Sequence, residues 1–231
     1  MNDLPRYALG LAVLSCLAVA LSGPGSSLGW WHFRTGFMIL RWGGYAGLVA
    51  AAVALAGMLR GGVDKWGLAA LGLGLLACAI PWSWYRLARA VPMIHDITTD
   101  TDNPPSFAAI LALRKGAANS ADYGGPGVAA QQKAAYPDIK TLALNEPPAQ
   151  AFERALAAAK RLGWEIAAAD ASKGRIEAVD TTRWFRFKDD IVIRVLPKGG
   201  ESKLDVRSVS RVGKSDIGAN AKRIRKFLAA L

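Results

Sequence analysis

Between Leu204 and Phe227 the chain gathers Arg207, Ser208, Ser210, Arg211, Ser215, Asp216, Asn220 and Arg223 into a strand, a tight turn and the start of a basic helix. Arginine, hydroxyl and amide side chains around a helix N-terminus are the groups that hold a phosphate or carboxylate. The same groups also act as caps and cross-links that lock a helix to a sheet. Both roles are open from the sequence. A second polar cluster lies upstream, from His95 to Asn103. Asp96, Asp100 and Asp102 carry oxygens suited to a hard cation such as calcium. Their spacing lacks the glycine and the distal glutamate of the helix–loop–helix calcium site, so no metal is expected, and capping of local turns accounts for them more simply. A hydrolase would need a base within hydrogen-bond reach of Ser210 or Ser215, and His95 is distant in sequence. An envelope hydrolase using Asp96, Asp100 and Asp102, with or without a cation, is therefore the alternative to a non-enzymatic binding domain that needs no cofactor.

Such residues must be positioned by a sheet with helices on one face. Alternating or apolar runs predict strands over 139–144, 164–169, 175–182, 189–196 and 203–211, with an extension of the third through 184–187 left open. Asn145-Glu-Pro-Pro148 opens a helix, proline being tolerated in a first turn. Phe152, Ala155, Leu156, Ala159 and Leu162 fall on one of its faces, and Gly163 stands just past its end. Short helical segments are expected over 107–114 and 128–135, whereas Pro92–Pro105 reads as an extended loop. A four-residue loop Lys198–Glu201 pairs Val195 with Leu204, Ile193 with Val206 and Ile191 with Ser208, an apolar face. The opposite face sets Arg194 against Asp205 and leaves Arg207 and Arg211 unpaired. In the last helix Ile217, Ala221, Ile224, Leu228 and Leu231 form the buried stripe. The resulting order, β-α-β-β-β-β-α, is a two-layer antiparallel α+β domain of helix-grip-like layout.

Upstream of residue 90 the composition changes. Residues 1–86 hold six basic and two acidic side chains and three long apolar runs, at about 4–22, 42–59 and 66–85. Each run approaches the ~17–25 residues that cross a bilayer. Trp30, Trp31, Trp42, Trp66, Trp82, Trp84 and Tyr85 mark their ends, as interfacial aromatics do. The chain thus divides into a membrane region, 1–90, and an α+β domain, 91–231. No acid or histidine lies at membrane depth, which argues against a proton or ion path. Gly43 and Gly47, spaced as Gly-x-x-x-Gly, offer a close-approach surface that either packs the spans together or forms a homo-oligomer seam. Arg6, Arg60 and Lys65 flank one side and Arg34, Arg41, Arg86 and Arg89 the other, so charge does not orient the spans. The net charge of +11 suits a domain near anionic headgroups or acidic polymers. Nucleic acid is not expected, because the basic residues are scattered and no aromatics interleave with them. Both cysteines, Cys16 and Cys78, lie in the apolar runs, so the domain has neither a disulfide framework nor a thiolate metal site.

Four words in the chain carry a resemblance to a known family: His95-Asp-Ile-Thr-Thr-Asp-Thr-Asp-Asn-Pro-Pro, Ala135-Tyr-Pro-Asp-Ile, Trp184-Phe-Arg-Phe-x-Asp-Asp, and Ser208-x-Ser-Arg-Val-Gly-x-Ser-Asp-Ile-Gly-x-Asn. Over residues 92–230 the chain resembles the bacterial domain-of-unknown-function family DUF1499. The resemblance implies no activity and no catalytic residues. It does imply a domain outside the cytoplasm, because shorter relatives often begin with a secretory or lipoprotein-type signal. The expectation is a bacterial inner-membrane protein, multi-pass, whose periplasmic domain binds an anionic lipid, a glycan or an envelope protein.

Overall fold

The computed structural model describes residues 3–231, which form two units. The first runs to Arg89 and also includes Arg183–Arg186; the second comprises Ala90–Thr182 and Phe187–Leu231.

The first unit is built on three helices, α1 (Leu4–Ser27), α2 (Phe33–Gly61) and α3 (Lys65–Ala90), each long and apolar enough to cross a membrane. All three exceed their predicted spans, α2 the most, because residues 33–41 before its apolar run and the turns flanking the other runs continue as helix. The Nδ1 of His32 accepts from the Arg34 amide at the start of α2, at 3.3 Å. Asp64 Oδ1 accepts from the Gly67 amide at the start of α3, at 2.6 Å. Small residues line the helix contacts. A Cβ on Gly43 would meet Val19 and Ala18 of α1, and one on Gly47 would lie 2.8 Å from both the Gly74 carbonyl and the Ala77 side chain of α3. The Gly43/Gly47 surface considered for a second copy is thus filled by the chain's own helices, which approach to backbone contact there.

Trp184 and Phe185 complete this unit. The Trp184 indole meets Trp84 edge-on at 5.0 Å and lies over Gly23, where any Cβ would fall 2.0 Å from the ring. Phe185 meets Phe37 at 4.7 Å and lies against Gly36. The extension of a strand through 184–187 does not form: the backbone turns at Arg186, with φ of +56°, and is closed by the Phe187 amide donating to Thr182 Oγ1 at 2.8 Å.

The second unit is α+β. Its strands are β1 (Asp96–Thr98), β2 (Leu142–Leu144), β3 (Glu165–Asp170), β4 (Arg175–Thr181), β5 (Lys188–Lys198) and β6 (Glu201–Ser210). Its helices are α4 (Gly125–Ala135), α5 (Pro148–Arg161) and α6 (Ala219–Leu228), with a 3-10 helix at Ala109–Arg114. The sheet is antiparallel in the order β1-β6-β5-β4-β3, and β2 also pairs with β6. The β5–β6 register is as read from the alternation, Val195 opposite Leu204 and Ile191 opposite Ser208. Its loop is tighter than expected, since Lys198 and Glu201 are themselves paired and only Gly199 and Gly200, at φ +58° and +92°, turn the chain.

One face of the sheet carries Ile176, Ala178, Ile191, Ile193, Val195, Leu204 and Val206 beneath α5 and α6. Trp164 stacks on Phe227 within this core at 5.2 Å. The other face carries a smaller cluster, Val179, Val192 and Val209, under Phe107 and Ile110 of the segment after β1. Two strand expectations change. The segment read wholly as loop contributes β1, and the 139–144 strand shrinks to three residues. Both are short edge pieces that take their conformation from β6, which no local pattern announces.

Candidate functional site

The strand–turn–helix residues divide between the two faces of the sheet. On the helix-covered face Arg223 is central. Its Nε donates to Asp180 at 2.7 Å, Nη2 to Asp189 at 2.6 Å, and Nη1 to Ser208 Oγ at 3.1 Å and to Asn220 Oδ1. The Asn220 amide donates in turn to Ser210 Oγ and to the His95 carbonyl, both at 3.0 Å. Asn220 is fully buried. Its backbone N–H donates to the Asp216 carboxylate at 2.7 Å, as does that of Gly218 at 2.8 Å, so Asp216 caps α6. Burial pushes the Asp216 carboxyl above its ordinary range, against the pull of those amides. Ser215 Oγ accepts from the Ile217 amide. Ile217 sits at φ +53° in the turn, not in the buried stripe of the helix where the sequence placed it.

On the other face the arginines expected to be unpaired are paired. Arg207 grips Asp96 through Nε at 2.9 Å and Nη2 at 2.7 Å. Its guanidinium lies between the Phe107 and Tyr123 rings, at 5.1 and 5.5 Å. Burial raises the Asp96 carboxyl above its usual range even so. Arg211 binds both oxygens of Asp190, and Arg114 reaches the same carboxylate from the 3-10 helix. Arg194 joins Asp205 at 2.8 Å and Asp100 at 3.0 Å. Glu177, for which the sequence held no signal, accepts from the amides of Ala108, Ala109 and Ile110 at 2.9, 3.2 and 2.9 Å. It anchors the covering segment to the sheet.

These guanidinium groups leave no anion pocket of the kind envisaged, because each already meets a carboxylate. The polar seam is two internal networks, one per layer, that tie helix and loop to the sheet. The aspartates of the 95–103 segment also disperse. Asp96 goes to Arg207, Asp100 caps the Asp102 and Asn103 amides and meets Arg194, and Asp102 meets Lys133 at 3.1 Å. Among the described residues no three His, Cys, Asp or Glu side chains gather as metal ligands would. His95 stays beside Ser210, whose amide donates to its carbonyl, while Asp102 leaves the other end of β1. A nucleophile–base–acid constellation of these residues is not assembled.

An open cleft of about 420 Å³ lies where β1 has ended and β2 has not begun. Thr99, Asp100, Thr101 and Asp102 form one wall; Gln132, Lys133, Tyr136, Ile139, Lys140 and Thr141 form the rest. Gln132 is held by the Thr98 backbone, accepting from its N–H at 3.0 Å and donating to its carbonyl at 2.6 Å, in place of a neighbouring strand. Thr99 and Thr141 both donate to the buried Asp205 carboxylate. Asp102, Lys133 and Lys140 stand exposed. Asp100 and Asp102 were named from sequence; Lys133, Lys140 and Thr141 were not, since only the pairing of β1 and β2 on one edge of β6 brings them together.

The model of the family described as "Protein of unknown function (DUF1499)" matches residues 96–231. No curated protein matches the chain. Two of the four words that carried the resemblance, those at 95–105 and 135–139, supply walls of the cleft. With the family model covering the whole of the sheet and both of the helices that pack on it, the chain belongs to the DUF1499 family.

Proposed function

We propose that this is a bacterial inner-membrane protein whose α+β domain, on the periplasmic side, is a non-enzymatic binding module for an envelope component, held in the cleft between β1 and β2. The observation that carries the reading is the cleft's lining. It mixes exposed carboxylate, ammonium and hydroxyl groups around Thr99, Gln132 and Thr141, whose own hydrogen bonds are made to the Thr98 backbone and to Asp205. Such a surface recognises a polar, hydroxyl-rich ligand through directional hydrogen bonds rather than one strong charge. A glycan of the envelope fits it better than an anionic lipid or a protein loop, since Asp102 offsets Lys133 at the rim.

Two measurements on the full-length protein test this. A reporter at Leu231 that is active only outside the cytoplasm is expected to be active; activity of a cytoplasm-only reporter there sinks the placement. A photocrosslinker at Thr101 is expected to capture glycan-bearing material that the same probe at exposed Lys222 does not. Equal capture at both positions, or loss of none of it in Asp102→Ala/Lys133→Ala, removes the cleft from consideration.

A further inference from the structure

Eight arginines of the α+β unit, at 114, 154, 175, 194, 207, 211, 223 and 225, each meet a carboxylate. In the membrane unit Arg6 meets Asp3 at 3.3 Å at one end, and the other end is the opposite case. Arg34, Arg41, Arg86, Arg89, Arg183 and Arg186 are all exposed, and none is within ion-pair distance of a carboxylate among the described residues. They share one end of the unit. α1 finishes there at Ser27, α2 starts at Phe33 and α3 finishes at Ala90. Trp184 and Phe185, seated on Gly23, Gly36 and Trp84, bring Arg183 and Arg186 to the same level. The only acids of this unit, Asp3 and Asp64, lie at its other end.

We infer that this end of the helical unit is a binding surface for anionic phospholipid headgroups of the adjoining leaflet. Three features commit it to lipid. The six guanidinium groups border helices long and apolar enough to cross a bilayer, so the anion they meet is one whose tail lies along those helices. Guanidinium forks match phosphate oxygens two at a time. Trp30, Trp42, Trp82 and Tyr85 are exposed at the same end, at the depth where aromatic side chains meet headgroups. Orientation during insertion does not account for the cluster. That bias acts through charges close to the spans in sequence, and Arg183 and Arg186 join the cluster only after the chain has folded.

The test uses full-length protein reconstituted into phosphatidylcholine bilayers with and without phosphatidylglycerol. Lipid retained on extraction is then read by native mass spectrometry. Phosphatidylglycerol is expected to be enriched over phosphatidylcholine, less so at high salt. Arg34→Gln/Arg183→Gln/Arg186→Gln is expected to cut the enrichment by roughly fivefold per arginine. The triple lysine variant, which keeps the charge and loses the forks, is expected to retain a reduced enrichment, and Arg60→Gln/Lys65→Gln at the other end leaves it unchanged. Equal retention of the two lipids, an unaltered triple variant, or the same loss from the Arg60/Lys65 variant overturns the inference. So does displacement of the lipid by soluble glycerol phosphate at low concentration, which would make this a site for a free anion. Where the glutamine variant fails to fold, the lysine variant decides: a partial loss supports the inference and an enrichment equal to that of the unmodified protein overturns it.

Discussion

At Arg223 four acceptors converge on one buried guanidinium, and two of them are carboxylates from neighbouring strands. Truncating it strands Asp180 and Asp189 without a counter-charge, and breaking such a pair costs about 3–5 kcal/mol. Arg223→Ala is therefore expected to lower the unfolding free energy by about that much, and Arg223→Ala/Asp189→Asn to recover part of it, as read from denaturant unfolding of the protein in detergent. Tyr123 supplies a second residue-level test. Its hydroxyl is buried without a hydrogen-bond partner, and burial next to Asp96 pushes its pKa from 10.0 up to about 12. The folded state then holds a proton that the unfolded state releases, so stability falls as pH rises from about 10 to about 12. In Tyr123→Phe, which keeps the ring beside Arg207, that alkaline loss is expected to shrink while stability at neutral pH stays level; a denaturation midpoint series across this range reads both. The sequence named Ser208, Asn220 and Arg223 together but left open whether they bind an anion or lock helix to sheet. The choice rested on Asp180 and Asp189, whose arrival beside Arg223 depends on the β4–β5 register and not on spacing along the chain.

Among the elements, those with a period of their own were legible. The β5–β6 hairpin, α5 with its apolar face and closing glycine, and the three apolar helices all follow from local pattern. β1 did not, being three residues drawn into the sheet by the free edge of β6, and β2 was legible as a strand but not in its length. The 3-10 helix was visible as a helical turn, but its anchor was not: Glu177 sits on β4, far away in sequence. Glu177→Ala leaves those amides without an acceptor, at about 1–3 kcal/mol. Residues 107–114 are expected to exchange amide hydrogens at least tenfold faster in that variant, with β5 and β6 little changed. In the membrane unit Gly47 and Gly72 form a matched pair. A side chain at Gly47 runs into the Gly74 carbonyl, while one at Gly72 meets nothing within 4 Å. Gly47→Leu is expected to destabilise by about 1–3 kcal/mol and Gly72→Leu to be neutral. Thermal exposure of Cys16 and Cys78 to a thiol dye distinguishes them.

For the whole molecule, hydropathy and charge change abruptly near residue 90, which is why the sequence divides there into apolar runs and an α+β pattern. It did not show that Arg183–Arg186 would belong with the helices, since a Trp-Phe pair between two strands reads as a continuation of the strand. The small sockets at Gly23 and Gly36 carry that information, and they lie about 150 residues upstream. Gly23→Val is expected to expel the Trp184 indole, visible as a red shift of tryptophan emission that is absent in Gly23→Val/Trp184→Phe. The cleft on which the proposed function rests was not legible, since it is assembled from segments that do not neighbour one another along the chain.

Asp189 and Asp190 are consecutive, yet the pleat of β5 sends them to opposite faces, Asp189 to Arg223 of α6 and Asp190 to Arg114 of the covering segment and Arg211 at the end of β6. Asp190 keeps Arg211 when Arg114 is absent, whereas within β5 Asp189 depends on Arg223 for its charge partner. Removing Arg223 therefore leaves Asp189 a buried carboxylate without its guanidinium even where every strand has paired.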